Sequence, residues 1–141
     1  MRCVFIDSSV LFSAANSAKG HSRDLMLISA AGRINLVLSD FVLEETRRNL
    51  ALTQSGLTVL EQIIREARIE IVSVTKQQVQ GAMKLIVPKD APILAAAKAA
   101  KVDMLISLDI KHILSHPELE GYINAPILTA AEAFAKLREQ P

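Results

Sequence analysis

Short apolar runs alternate with longer amphipathic segments along the whole chain. Arg2 to Ile6, Ile34 to Leu38, Glu70 to Val74, Met104 to Ser107 and Pro126 to Leu128 predict strands. Between them, helical spacing predicts helices over Ser8 to Ala18, Ser22 to Ala31, Asp40 to about Leu52, Leu57 to Ala67, Lys76 to Ile86, Asp90 to Ala100 and Thr129 to Arg138. The punctuation agrees. Lys19-Gly20, Gly32 and Pro88 are breaks, Ser39-Asp40 and Thr129 are N-caps, and Pro92 suits a first helical turn. Strands separated by helical segments need crossover connections. The expected fold is therefore α/β: a three-layer α/β/α domain with a mostly parallel, about five-stranded sheet spanning residues 1–141.

Composition narrows this picture. Half the residues are hydrophobic but only 4% are aromatic, so the core must be aliphatic. A formal charge of +1 gives no general case for nucleic acid, although an acidic centre can offset a basic rim within so small a total. The one cysteine, Cys3, lies in a predicted strand and reads as a buried apolar filler. The longest charge-free stretch, Asn49 to Leu60, is too short to span a bilayer, and the N-terminus has no signal pattern. The expectation is a soluble cytoplasmic protein with no membrane partner.

Four carboxylates stand where a predicted strand gives way to a loop or helix: Asp7, Glu45, Asp90 and Asp109. In an open parallel sheet the ligand crevice lies at the carboxyl ends of the strands, where Asp7 and Asp109 both fall. On the helix opened by Ser39, Val42, Leu43, Thr46 and Leu50 define the buried stripe. Glu45 lies nearer its edge than Glu44, so Glu45 is placed to reach a crevice. Each acid alone also suits a bland role, Asp7 and Asp90 as helix caps, Asp109 as a turn former and Glu45 on a solvated face. Their combination points further. Two carboxylates about 5 Å apart repel by roughly 3 kcal/mol at an effective dielectric near 20, so a fold gathering four needs a compensating cation.

The stretches Val4-Phe5-Ile6-Asp7-Ser8-Ser9-Val10-Leu11, Leu38-Ser39 through Glu44-Glu45, Asp90-Ala91-Pro92-Ile93-Leu94-Ala95-Ala96-Ala97 and Asp103-Met104-Leu105-Ile106-Ser107-Leu108-Asp109 resemble the PIN domain, in order and over roughly Arg2 to Leu128. The resemblance implies a PIN-like fold and a metal-dependent ribonuclease, either the toxin of a prokaryotic toxin–antitoxin pair or an RNA-processing nuclease. It implies Asp7, Glu45, Asp90 and Asp109 as catalytic metal ligands for Mg²⁺ or Mn²⁺, with Ser107 as a steadying hydroxyl. Ser8 and Ser9 stand where the family often has Thr then Asn, and complete the supporting set. RNA is the implied substrate, and an antitoxin-type inhibitor protein the implied partner.

Candidates for an RNA-binding rim are Lys19, Arg23, Arg47, Arg48, Lys89, Lys111 and His112, several of which flank the acids in sequence. His112 and His116 share an i, i+4 spacing, but Pro117 follows and no third nitrogen or sulfur ligand is near, so both read as surface residues. The Ala95-Ala96-Ala97 and Ala99-Ala100 face suits either close packing or a homodimer contact. A phosphoacceptor receiver fits poorly, since one acid follows strand one and strand five leads into Thr129-Ala130-Ala131 rather than a lysine. A non-catalytic RNA-binding or scaffold protein of the same fold is the remaining alternative, and all four acids being present weighs against it.

Overall fold

The computed structural model describes residues 1–52 and 54–139, with the side chains of Gln54 and Ser55 left aside. Strand β1 (Arg2–Ile6) leads through helices α1 (Ser8–Asn16) and α2 (His21–Ala30) to β2 (Ile34–Ser39). Helices α3 (Asp40–Leu50) and α4 (Gln54–Glu66) lead to β3 (Glu70–Val72), and α5 (Lys76–Ala82) and α6 (Ala91–Ala99) to β4 (Met104–Ile106). A π-helical turn (Ile110–Leu114), α7 (Glu118–Ile123), β5 (Ile127–Leu128) and α8 (Ala130–Arg138) complete the described chain.

The five strands form one sheet in the order β3-β2-β1-β4-β5, and every neighbouring pair is parallel. The three central strands are mostly apolar, with Asn35 the polar interruption in β2, because both faces of a parallel sheet are covered by helices. Val4, Phe5 and Ile6 of β1, Leu36, Val37 and Leu38 of β2, and Met104, Leu105 and Ile106 of β4 are all fully buried. Phe5 lies opposite Val37 on one side and Leu105 on the other. The helices fall into two packed groups, α1, α2, α3, α4 and α8 in one and α5, α6 and α7 in the other, which touch where α3 meets α6. Among the described residues no helix is long and apolar enough to cross a membrane.

The strand order reverses direction at β1. From there the chain proceeds outward to β2 and β3, then returns to add β4 and β5 on the other side. The junction between β1 and β4 is thus the topological switch point, where adjacent connections diverge and leave a crevice at the carboxyl ends. The Asp7 N–H extends the ladder past the strand itself by donating to the Ile106 carbonyl at 3.2 Å.

Several elements differ from the expected bounds. Helix α1 stops at Asn16, because Ser17 is extended and its hydroxyl bonds the Lys19 backbone instead. Strand β3 is paired only with β2 and ends at Val72. Helix α5 ends at Ala82 rather than Ile86. Beyond it Met83, Leu85 and Val87 are exposed, so no apolar face drives further helix, and Pro88 disfavours helical backbone at the residue before it. The π-helical turn and α7 had no counterpart in the expectation, being too short to display helical periodicity. Cys3 is half-buried at the core's edge rather than enclosed within it. Ala95, Ala96 and Ala97 are buried inside the protomer, so that stretch of α6 serves close packing.

Leu105 is fully buried at the middle of this sheet. Leu105→Ala is expected to cost about 2–5 kcal/mol in a urea unfolding titration, from lost burial plus the cavity left behind. A cost below about 1 kcal/mol would contradict the close packing of β4 between β1 and β5.

Candidate metal centre

Asp7 leaves β1 and occupies the N-cap of α1, with only 2% of its surface exposed. Its Oδ1 accepts from the Val10 N–H at 3.2 Å and from the Ser9 hydroxyl at 2.5 Å, and its Oδ2 accepts from the Ser107 hydroxyl. Burial is the largest influence on this carboxyl and pushes its pKa from 3.8 up to about 6. Hydrogen bonds from Ser107, Ser9 and the Val10 N–H pull it down, and neighbouring Asp109 adds to the rise.

The two serines work in both directions. Ser107, fully buried just past β4, donates to Asp7 while accepting the Asp109 N–H at 3.0 Å. Ser9 donates to Asp7 while accepting the Leu108 N–H at 2.9 Å. The loop after β4 is therefore built onto the Asp7 carboxylate. Ser8, one residue along, donates to Glu45 Oε1 on α3. Glu45 is half-buried and lines the crevice while Glu44 is exposed, as the helical stripe suggested.

Asp90 holds the N-cap position of α6, yet its side chain makes no capping hydrogen bond. It is 4% exposed, and its Oδ2 has no hydrogen-bond partner among the described residues. Burial raises its pKa. Lys89 opposes the rise, Asp109 adds to it, His112 opposes it and Glu45 adds to it. Asp109 stands at the cap of the π-helical turn, its Oδ1 accepting the His112 N–H at 3.0 Å.

These four acids line one cavity of about 240 Å³, together with Ser8, Ser9, Phe12, Asn49, Lys89 and Ile93. A buried carboxylate oxygen lacking any donor, facing a cavity lined by three other acids, is unfavourable as it stands and fits a cation with oxygen ligands. The donor set suits a hard divalent ion. A larger cavity of about 580 Å³ lies at the opposite ends of the strands, between Arg2, Ile34, Asp103 and the last turn of α8. Its one lining carboxylate among the described residues, Asp103, already accepts the Cys3 N–H at 2.7 Å, and no cluster of acids forms there among those residues.

His112, read from the sequence as a surface residue and a rim candidate, is half-buried beside two of the acids. Its Nδ1 stands 3.4 Å from Asp109 Oδ2 and 3.6 Å from Asp90 Oδ2. The signal available was Asp109 three residues earlier, one helical turn away on the same face, rather than His116. His116 instead contacts Glu118 at 3.1 Å and the Lys111 carbonyl at 2.9 Å. Asn49, one turn beyond Glu45 on α3, also lines the cavity without having been singled out.

Of the basic residues expected at a rim, Lys89 lines the cavity. Arg23 is engaged elsewhere, its guanidinium donating to the Ala14 carbonyl at 2.9 and 2.5 Å. Arg47 pairs with Glu61 at 2.9 Å. Lys19, Arg48 and Lys111 are exposed.

The sequence profile of the PIN domain matches residues 3–111, a span that includes all four acids. No curated protein matches the chain in sequence. Among solved structures, VapBC2 from Rickettsia felis, crystallised with a DNA fragment from its promoter, aligns with a TM-score of 0.67 at 15% identity, over 90% of this chain and 98% of that one. PAE2754 from Pyrobaculum aerophilum aligns with a TM-score of 0.66 at 14% identity, over 97% of each chain. At such identities the likeness is one of fold.

Because its pKa is raised, Asp7 holds its proton to higher pH in the folded state than in the unfolded chain. Its contribution to stability is fully present below about pH 3.8 and is lost as pH rises through about 6. In EDTA, wild type is expected to lose up to about 3 kcal/mol relative to Asp7→Asn between about pH 4 and 7.5. Denaturant titrations of both proteins across that range check this, and parallel pH profiles would contradict it.

Proposed function

Because the chain belongs to the PIN domain family, we propose that it is a divalent-metal-dependent endoribonuclease that hydrolyses RNA phosphodiester bonds at the cavity lined by Asp7, Glu45, Asp90 and Asp109. The observation that carries this reading is the buried, unpartnered Oδ2 of Asp90 within a cavity shared by the other three acids. The catalytic assignment of the quartet, and of Ser8, Ser9 and Ser107 as its supports, is part of the proposal.

Asp7, Glu45, Asp90 and Asp109 would hold Mg²⁺ or Mn²⁺. When bound, such an ion would offset phosphate charge and lower the pKa of a water held beside it. The protein's own contribution is positioning. Ser107, Ser9 and the Val10 N–H fix both oxygens of Asp7, and Ser8 fixes one oxygen of Glu45. Their conformations are set before any ligand arrives, as second-shell partners do at metal sites. No side chain needs to attack the phosphorus. Lys89 at the cavity wall, with exposed Lys111 and Arg48, supplies cationic contacts for the RNA backbone.

The toxin form of this activity calls for an antitoxin-type protein to restrain it. The Rickettsia felis relative of the same fold, itself a VapBC2 assembly, is consistent with that pairing. The product of such a nuclease is cleaved RNA in the cytoplasm.

Incubation of the purified protein with total RNA is expected to give cleavage in Mg²⁺ or Mn²⁺ and none in EDTA. Asp90→Asn is expected to lose at least about 100-fold in rate, in line with removal of a group that places a catalytic ion. Its melting temperature in EDTA is expected to be unchanged or higher, since a repelling buried charge is gone. Cleavage that persists in EDTA, or an Asp90→Asn protein as fast as wild type, would overturn the assignment.

A further inference from the structure

The imidazole of His112 lines a separate cavity, with Met83, Ile86 and His116, and stands beside two of the four carboxylates at a spacing that a hydrogen bond does not explain. Its Nδ1 lies 3.4 Å from Asp109 Oδ2 and 3.6 Å from Asp90 Oδ2. Made N–H···O bonds run about 2.7–3.2 Å. By contrast, two donors about 2.1 Å from one ion stand roughly 3.0 Å apart at a right angle and roughly 3.4 Å apart at the tetrahedral angle. One ligand atom from each of Asp90, Asp109 and His112 falls within 4.8 Å of the other two.

The two facing oxygens are the ones left uncommitted. Asp109 uses Oδ1 to cap the π-helical turn, accepting the His112 N–H at 3.0 Å. It leaves Asp109 Oδ2 free to face His112 Nδ1. Asp90 Oδ2 is buried and without a hydrogen bond. The turn carrying His112 is π-helical over Ile110–Leu114, a local form found often at functional sites because it re-aims a side chain.

We propose that the metal site is a mixed carboxylate–imidazole site in which His112 Nδ1 is a direct ligand beside Asp90 and Asp109, selecting a transition-metal cation such as Mn²⁺ over Mg²⁺. The inference rests on the metal-dependent reading above and adds the nitrogen donor and the preference it creates. Mg²⁺ takes oxygen donors and keeps much of its water, whereas imidazole suits the borderline divalent ions of the first transition row. Carboxylates alone accept Mg²⁺ and Mn²⁺ alike far more readily, so the nitrogen donor is what widens the preference.

The test is binding rather than turnover. The full chain is titrated calorimetrically with Mn²⁺ and, separately, with Mg²⁺, as wild type, His112→Ala and His112→Gln. Both variants are expected to lose at least about 10-fold in Mn²⁺ affinity, and less than about 3-fold in Mg²⁺ affinity. Pulsed electron paramagnetic resonance of the Mn²⁺-loaded wild type is expected to show coupling to one imidazole ¹⁴N, absent from both variants. Mn²⁺ bound without that coupling, or equal losses for the two metals, would overturn the His112 assignment and leave a carboxylate site standing. Failure of wild type to bind either ion at millimolar concentration would overturn both readings.

Discussion

The carboxylate of Asp7 is held out of water at the junction of β1 and β4, and the rest of the site is organised around that burial. A lone buried carboxylate is costly, and here the cost is met in two ways. Three donors, the Ser107 and Ser9 hydroxyls and the Val10 N–H, approach its two oxygens. Even so, burial dominates and the pKa rises to about 6. What the donors leave uncompensated favours the protonated carboxyl, and oxygen donors grouped in this way suit a divalent cation.

The same bonds that steady Asp7 also shape the loop that delivers Asp109. Ser107 and Ser9 each give a proton to Asp7 and accept a backbone N–H from the loop after β4. The placement of the acids and the geometry of the loop are thus one hydrogen-bonded unit. Glu45 and Asp90 reach the unit from α3 and α6, which meet beside it. Asp90 shows most plainly where stability has been given up. It occupies a cap position without making the cap, and its Oδ2 lacks a donor that a solvated aspartate would find in water. Local inconsistencies of this kind collect at functional sites.

Much of this arrangement was legible in the residues. The runs at β1, β2 and β4 are predominantly apolar because both sheet faces are covered, so their type and parallel pairing followed from pattern alone. The position of Glu45 at the edge of its helical stripe followed from the 100° step per residue. What pattern could not supply was tertiary proximity. His112 meets Asp90 across 22 positions of chain, through a π-helical turn that five residues cannot announce. Arg23, basic and close in sequence to α1, was spent on the Ala14 carbonyl, which only the path of α2 determines. Ser9, standing where the family often has Asn, proved to bridge Asp7 and Leu108, a role a hydroxyl fills by donating and accepting at once.

Under the proposed function, a chain of net charge +1 would meet an anionic polymer through a bound cation. That cation, not the protein's overall charge, would set the sign of the field at the phosphate. Anomalous diffraction from crystals soaked in Mn²⁺ measures this directly. The expected result is a single strong peak or a close pair within coordinating distance of carboxylate oxygens from Asp7, Glu45, Asp90 and Asp109. An ordered crevice with no anomalous density there at millimolar Mn²⁺ would contradict the claim that these oxygens share an ion.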